Sequence, residues 1–138
     1  MSVKVILDSN FLLLTPIFRG DLFEELDKLI GRRTIKIVLK PVYHELRRLS
    51  KEGNFKTRKQ AETVLKIIER GNLRVVDMDL RSSETVDELI ARVATLWKCL
   101  VATNDRELRK CLVKSGVPVA YLRQRNRLEV RGGSYSLL

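Results

Sequence analysis

The sequence predicts an α/β fold with a mostly parallel central sheet of about five strands. Short apolar runs alternate along the 138 residues with longer segments whose apolar residues recur at helical spacing. Glycine, proline and capping residues mark the boundaries between these segments. Strands that alternate with helices pair in parallel, because each helix returns the chain to the starting edge of the sheet.

The first predicted strand, Val3 to Leu7, is short, apolar and β-branched, which is typical of buried parallel strands. We expect it to be the central strand, because it is apolar on both faces. In chain order the five predicted strands are Val3 to Leu7, Ile35 to Leu39, Leu73 to Asp77, Cys99 to Thr103 and Val117 to Leu122.

The predicted helices begin and end at residues that favour helix termini. Asp21 and Asp105 suit helix starts, since their carboxylates accept hydrogen bonds from free N–H groups. Pro41 is tolerated in a first turn, and glycines follow three of the helices. An apolar loop or short helix is expected from Phe11 to Phe18. The helices run from Asp21 to Gly31, Pro41 to Leu49, about Thr57 to Arg70, Ser82 or Ser83 to Trp97, and Asp105 to Gly116.

Length and composition predict one cytoplasmic domain. A chain of 138 residues with 44% hydrophobic residues is large enough for a single core, which we place at 1–122. Residues 123–138 form a basic extension, expected to be an added strand or a mobile arm. The sequence has no apolar stretch near the roughly 20 residues that cross a bilayer, and no signal-peptide pattern. Cys99 and Cys111 are expected to be reduced core thiols.

The charge balance favours a polyanionic partner. Lys and Arg outnumber Asp and Glu by 27 to 17, which gives a net charge of +10. Two windows, 47–59 and 123–131, carry net charges of +5 and +3. The basic side chains of the first window, the candidates for contacts to such a polyanion, are Arg47, Arg48, Lys51, Lys56, Arg58 and Lys59.

Four carboxylates are expected at one edge of the sheet. Asp8 and Asp105 follow two buried strands, and Glu45 and Asp87 lie near the starts of helices that can reach the same edge. In open α/β sheets, ligands collect in the crevice beyond the carboxyl ends of the strands. Converging carboxylates repel one another unless a hard divalent cation binds between them. The sequence therefore predicts a metal-dependent enzyme.

Other enzymes of similar size have signatures that this chain lacks. The sequence contains neither the Gly-Lys-Ser/Thr loop of P-loop nucleotidases nor a Gly-x-Gly-x-x-Gly segment after the first strand. Asp8-Ser9-Asn10 also lacks the second acid of an Asp-x-Asp phosphatase loop. Nucleotide binding by these loops and phosphoaspartate chemistry are therefore disfavoured.

Four motifs, in this order, are similar to those of the PIN domain ribonuclease family. They are Val-Ile-Leu-Asp-Ser-Asn at 5–10, Tyr-His-Glu-Leu at 43–46, Val-Asp-Glu-Leu-Ile at 86–90 and Val-Ala-Thr-Asn-Asp-Arg-Glu-Leu at 101–108. The resemblance spans Val3 to Leu122 and implies a three-layer α/β/α fold. The segment from Thr103 to Leu122 looks most like the archaeal and eukaryotic branch associated with small-subunit ribosomal RNA processing. That branch often has paired acids where this chain has Val86 and Asp87.

The resemblance implies an endoribonuclease that hydrolyses phosphodiester bonds with Mg²⁺ or Mn²⁺. One or two ions would lie between the acids, and the products would carry 5′-phosphate and 3′-hydroxyl ends. Ser9, Asn10 and Thr103 are expected to hold the carboxylates or a metal-bound water in place. The implied metal ligands and catalytic residues are Asp8, Glu45, Asp87 and Asp105.

Several alternatives remain open at this stage. The favoured partner is single-stranded RNA, within a pre-ribosomal particle if the protein matures ribosomal RNA. The same fold would serve a toxin ribonuclease paired with an acidic antitoxin, or a catalytically silent module that binds RNA and assists assembly. A homodimer is also possible through apolar residues at 11–18.

Overall fold

The computed structural model describes residues 3–124 and 126–133. These residues form one six-stranded sheet with helices packed against it. The strands are β1 (Val3–Leu7), β2 (Thr34–Leu39), β3 (Arg74–Val76), β4 (Leu100–Ala102), β5 (Val119–Arg123) and β6 (Arg127–Arg131). The helices are α1 (Ser9–Leu12), α2 (Leu22–Ile30), α3 (Lys40–Glu52), α4 (Phe55–Glu69), α5 (Val86–Trp97) and α6 (Arg106–Lys114).

The strand order β3-β2-β1-β4-β5-β6 makes β1 an interior strand, as the sequence predicted. Strands β1 to β5 pair in parallel, whereas β6 pairs antiparallel with β5 at the edge. The chain crosses from β1 towards β3 in one direction and then from β4 towards β6 in the other. Because such crossovers are right-handed, α1 to α4 lie on one face and α5 and α6 on the other. The predicted three-layer α/β fold is confirmed, with one strand more than expected.

The strand register decides which residues meet at the carboxyl edge. Leu7 at the end of β1 pairs with Ala102 at the end of β4. The next residues, Asp8 and Thr103, therefore leave the sheet side by side. The backbone N–H of Asp8 continues the ladder by donating to the carbonyl of Ala102 over 2.9 Å. The first turn of α1 then begins at once, so Asp8 lies at a junction fixed on both sides.

The start of α5 differs from the prediction. Thr85, rather than Ser82 or Ser83, caps the helix. Its hydroxyl accepts from the N–H of Glu88, whose carboxylate in turn accepts from the N–H of Thr85. This reciprocal pair of hydrogen bonds requires an acid three residues after the cap, and only Thr85 among the three hydroxyl residues has one.

Two expectations about apolar and thiol side chains are also wrong. Phe11 and Leu12 are wholly buried in the core, so the 11–18 segment does not present the continuous apolar patch suggested for a dimer; only its later part, such as Ile17, is exposed. Cys99 is buried as expected, but Cys111 is exposed. In the described part of the chain, no helix has the length and apolar character needed to cross a membrane.

The basic extension contributes the added strand that was one of its two predicted forms. Strand β6 pairs along its whole length with β5, from Arg127 opposite Arg123 to Arg131 opposite Val119. Helix α2 also packs against β6. The expectation for residues 134–138 concerns positions outside the described residues.

Candidate active site at the carboxyl edge of the sheet

Asp8 is the charged residue that the fold buries at this edge. It is 4% exposed, and three groups donate hydrogen bonds to its carboxylate. Oδ1 accepts from the backbone N–H of Ser9 at 2.8 Å. Oδ2 accepts from the Thr103 hydroxyl at 2.7 Å and from the Asn10 amide at 3.1 Å. Asn10 and Thr103 thus hold the carboxylate through their side chains, as predicted, whereas Ser9 does so through its backbone.

A second hydrogen-bond chain connects three strands around Asp8. The side-chain oxygen of Asn10 accepts from the backbone N–H of Asn104 at 2.8 Å. The Asn104 amide donates to the carbonyl of Leu122 at 2.9 Å and accepts from the N–H of the same residue at 2.8 Å. Asn104 therefore fixes the ends of β4 and β5 relative to Asp8. Asn104 directly follows a buried strand, but no local pattern in the sequence predicts this role for it.

Asp105 caps a helix through one of its two carboxylate oxygens. Its Oδ1 accepts from the N–H groups of Glu107 and Leu108, so it caps α6. Its own N–H donates to the Thr103 hydroxyl at 3.1 Å. That hydroxyl consequently connects Asp105 to Asp8 by donating to one residue and accepting from the other. Within the described residues, hydrogen bonds involve only one of the two carboxylate oxygens of Asp105.

Asp87 lies in the first turn of α5 and faces the same group of acids. Burial raises the pKa of its carboxyl, and the negative charge of Asp105 raises it further. For Asp8, burial again has the largest effect and raises the pKa. The hydrogen bonds from Thr103 and Ser9 oppose this shift, whereas the charges of Asp87 and Asp105 add to it. Three of the four predicted acids are therefore close enough to interact through their charges.

These three acids have the donor chemistry that a divalent cation requires. Carboxylate oxygens are hard ligands, and like charges that raise one another's pKa are relieved by a cation. The arrangement is not a closed cage, since in residues 3–124 and 126–133 no three His, Cys, Asp or Glu side chains are placed to hold a metal together. Mg²⁺ commonly binds through one or two carboxylates and keeps several waters, so the donor set fits such an ion.

Glu45 is not brought into this trio. Its two carboxylate oxygens accept hydrogen bonds from the Arg48 guanidinium at 2.7 and 3.1 Å, and Arg48 also contacts Glu52 at 3.3 Å. Glu45 instead lines a shallow cavity beside Val86, the residue before Asp87. It therefore stands at the rim of the site, where its charge is balanced by an arginine one turn along α3.

The six basic residues proposed from the sequence fall into two groups. Arg48 is paired with acids, and Lys59 lies 3.7 Å from Glu62 and over the ring of Phe55. The others are exposed on α3 and α4 and make no ion pair in the described part of the chain; they are Arg47, Lys51, Lys56 and Arg58.

Two archaeal proteins are similar to this chain along most of its length. Ribonuclease VapC4 of Methanocaldococcus jannaschii is 28% identical over 130 residues, which cover 94% of this chain and 97% of the relative. Ribonuclease VapC9 of Archaeoglobus fulgidus is 26% identical over 125 residues, which cover 91% of this chain and 87% of the relative.

This chain is also similar to two solved structures and matches a family model. The structure of the PIN domain endonuclease Utp24 superposes with a TM-score of 0.74 at 26% identity, covering 92% of this chain and 90% of the other. A domain of a functionally unknown protein from Methanocaldococcus jannaschii shares the fold, with a TM-score of 0.59 at 18% identity and 88% of this chain covered. A family model described as a PIN-like domain matches residues 5–125. Because this match spans most of the 138 residues, the chain belongs to the PIN-like domain family.

Proposed function

We propose that this protein is an Mg²⁺- or Mn²⁺-dependent endoribonuclease whose site is built on Asp8, Asp87 and Asp105. The observation that carries the proposal is the buried carboxylate of Asp8, which interacts with the other two charges at the carboxyl edge of the sheet. A stable fold gains nothing from burying such a charge beside two others. The burial is explained if the site binds a cation.

The relatives support the choice of reaction. Two of them are named ribonucleases, and the solved structure at a TM-score of 0.74 is described as an endonuclease. Each of these proteins matches at least 91% of this chain. The family model matches residues 5–125, a range that contains Asp8, Asp87 and Asp105.

The residues of this site have two roles, metal binding and positioning of a carboxylate. Asp8, Asp87 and Asp105 would hold one or two ions, directly or through water, with Glu45 joining from the rim if Arg48 releases it. A bound ion lowers the pKa of a water and polarises the scissile phosphate. Thr103 and Asn10 keep the Asp8 carboxylate in one orientation, because both donate to the same oxygen. Oδ1 accepts one hydrogen bond, from the N–H of Ser9, and is the oxygen with fewer partners.

The basic surface of α3 and α4 supplies the contacts to the RNA backbone. Arg47, Lys51, Lys56 and Arg58 are exposed on α3, the helix that carries Glu45, and on α4, which packs against it. Lysine and arginine at this position neutralise phosphates and attract single-stranded RNA. Arg48 affects the site through Glu45, because its guanidinium donates two hydrogen bonds to the Glu45 carboxylate.

The biological setting belongs to the same proposal. We favour processing of ribosomal RNA in the cytoplasm, because the segment from Thr103 to Leu122 resembles the branch associated with small-subunit ribosomal RNA processing. A toxin ribonuclease is the alternative, and the two archaeal relatives are named ribonucleases. The two settings differ in partner. Cleavage confined to a pre-ribosomal substrate supports the first, and tight inhibition by a small acidic protein from a neighbouring gene supports the second.

Cleavage of end-labelled single-stranded RNA tests the proposal. We expect cleavage by the wild type with Mn²⁺ or Mg²⁺, none with EDTA, and at least a hundredfold slower cleavage by Asp8→Asn. Glu69→Gln, which changes an exposed acid at the far end of α4, is the control and should cleave like the wild type. Salt-sensitive RNA binding without any cleavage would favour a silent RNA-binding module.

A further inference from the structure

We propose that a groove beside the acidic site receives an unpaired base of the RNA, next to the phosphodiester that is cut. The inference rests on the proposed function and names part of its substrate specificity. The groove, called the base groove below, has a volume of about 460 Å³ and lies between the segment after α1, the start of α4 and the end of β5. It is lined by Leu14, Ile17, Lys56, Thr57, Gln60 and Leu122.

The base groove is connected to Asp8 through two side chains. Leu122, in its wall, exchanges two backbone hydrogen bonds with the Asn104 side chain. Asn104 donates through its backbone to Asn10, and Asn10 donates to the carboxylate of Asp8. An RNA strand that places a phosphate at the acids therefore has the base groove within reach of a neighbouring nucleotide.

The lining of the base groove matches the parts of a nucleotide. Leu14, Ile17 and Leu122 give an apolar surface for the face of a base, and Ile17 is 51% exposed with nothing in the described chain to cover it. The Gln60 amide both donates and accepts, so it can recognise a base edge. Lys56 is exposed and supplies a positive charge for a phosphate.

The charge of the surroundings favours RNA over a protein segment as the occupant. The lining contains no acid, and no acid lies in the first turn of α4. Residues 47–59, which include Lys56, carry a net charge of +5. A volume of this size is within the range of sites that hold small ligands, and such sites are lined mainly by apolar side chains with a few polar groups. A positively charged groove is typical of proteins that bind single strands.

The test compares two RNA ligands that have the same phosphates and differ only in their bases. Affinity for the dodecamer of uridine and for an abasic ribose dodecamer is measured by fluorescence anisotropy, in EDTA so that neither is cut. We expect the wild type to prefer the uridine dodecamer about tenfold, because a base in the groove buries apolar surface against Leu14, Ile17 and Leu122. In Ile17→Ala/Gln60→Ala the preference should fall below threefold, whereas Lys56→Glu should weaken both ligands alike.

The matched control variants change exposed residues that do not line the base groove. Leu96→Ala removes a leucine that is 69% exposed on α5, and Lys66→Glu reverses an exposed lysine of the last turn of α4. Both should keep the tenfold preference. Circular dichroism melts of every variant verify that each is folded, which is expected because the changed side chains are exposed or line an open groove.

Two results would overturn the inference. One is an unchanged preference in Ile17→Ala/Gln60→Ala. The other is a preference lost only in Phe55→Ala, which would move the base to the ring of Phe55, 68% exposed beside Lys59. Because binding is measured without metal, a base preference that the groove variant leaves unchanged, with cleavage by the wild type intact, contradicts this inference alone. Absence of cleavage with the groove effect intact contradicts the proposed function alone.

Discussion

Replacing the hydroxyl of Thr103 tests how the fold maintains a buried negative charge. Thr103 is wholly buried, and its hydroxyl donates to Asp8 and accepts from the N–H of Asp105. Thr103→Val keeps the shape of the side chain but removes both hydrogen bonds. Thr103→Ser keeps the hydroxyl and removes only a methyl group, so it is the matched control.

The expected loss in the free energy of unfolding follows from the groups left without hydrogen-bond partners. Losing a hydrogen bond to a charged group costs about 1.5–3 kcal/mol, and an N–H of Asp105 without an acceptor costs about 1 kcal/mol more. Removing a buried methyl costs about 0.8 kcal/mol. We therefore expect the free energy of unfolding of Thr103→Val to be lower than that of Thr103→Ser by about 2 kcal/mol. Urea unfolding in EDTA at pH 7 measures this as a midpoint lower by about 1 M.

The difference between the two variants should also depend on pH. Burial raises the pKa of Asp8 above its ordinary 3.8, and the Thr103 bond opposes that shift because it favours the charged carboxylate. The stabilisation by this bond is present where Asp8 is ionised and is lost as the pH falls through the raised pKa. The urea midpoints of Thr103→Val and Thr103→Ser should therefore converge towards pH 4. Equal midpoints at pH 7, or a constant difference at every pH, would refute this reasoning.

Three further predictions concern other parts of the fold. Hydrogen bonds from the Arg92 guanidinium, the larger cause, and from the N–H of Arg81 lower the pKa of Glu84 to about 2. The stability due to these contacts is present above the ordinary 4.5 and lost as the pH falls from 4.5 towards 2. Urea titrations should show Arg92→Met to be less stable than the wild type at pH 7 and equal to it near pH 2. Thr85→Ala removes the cap of α5 and should lower the Tm by about 4 °C, seen by calorimetry; an unchanged Tm would show that the cap contributes nothing. Cys99 is 3% exposed with a pKa raised to about 11, so a thiol reagent at pH 8 should modify only Cys111 until urea is added.

The strands and most helix boundaries were predictable because each depends on a local pattern. Buried parallel strands are nearly continuous apolar runs, and β1 is one from Val3 to Leu7, with Lys4 as its one exposed residue. Asp21 and Gly31 delimit α2 as expected, with the glycine in the left-handed conformation that ends helices. The position of Asp8 beside Thr103 also follows from the sequence, once two buried strands are taken as neighbours.

The predictions that were wrong or incomplete depended on choices among equivalent partners or on distant residues. Three hydroxyl residues within four positions can each cap α5, and the acid at Glu88 selects Thr85. Glu45 has the acidic motif expected of a metal ligand, but an arginine three residues later pairs with it on the same helix face. The role of Asn104 depends on a partner 94 residues away, Asn10, and no local pattern indicates that contact.

The measurement that most directly tests the central claim is the rate of RNA cleavage by Asp105→Asn with saturating Mn²⁺. Asparagine caps a helix as well as aspartate does. This change therefore removes the negative charge of residue 105 and keeps the start of α6. If the acids at the edge of the sheet hold the metal for catalysis, cleavage falls at least a hundredfold relative to the wild type while the Tm without metal stays within about 2 °C. Cleavage at the wild-type rate by this variant would contradict a metal-dependent site built on these acids.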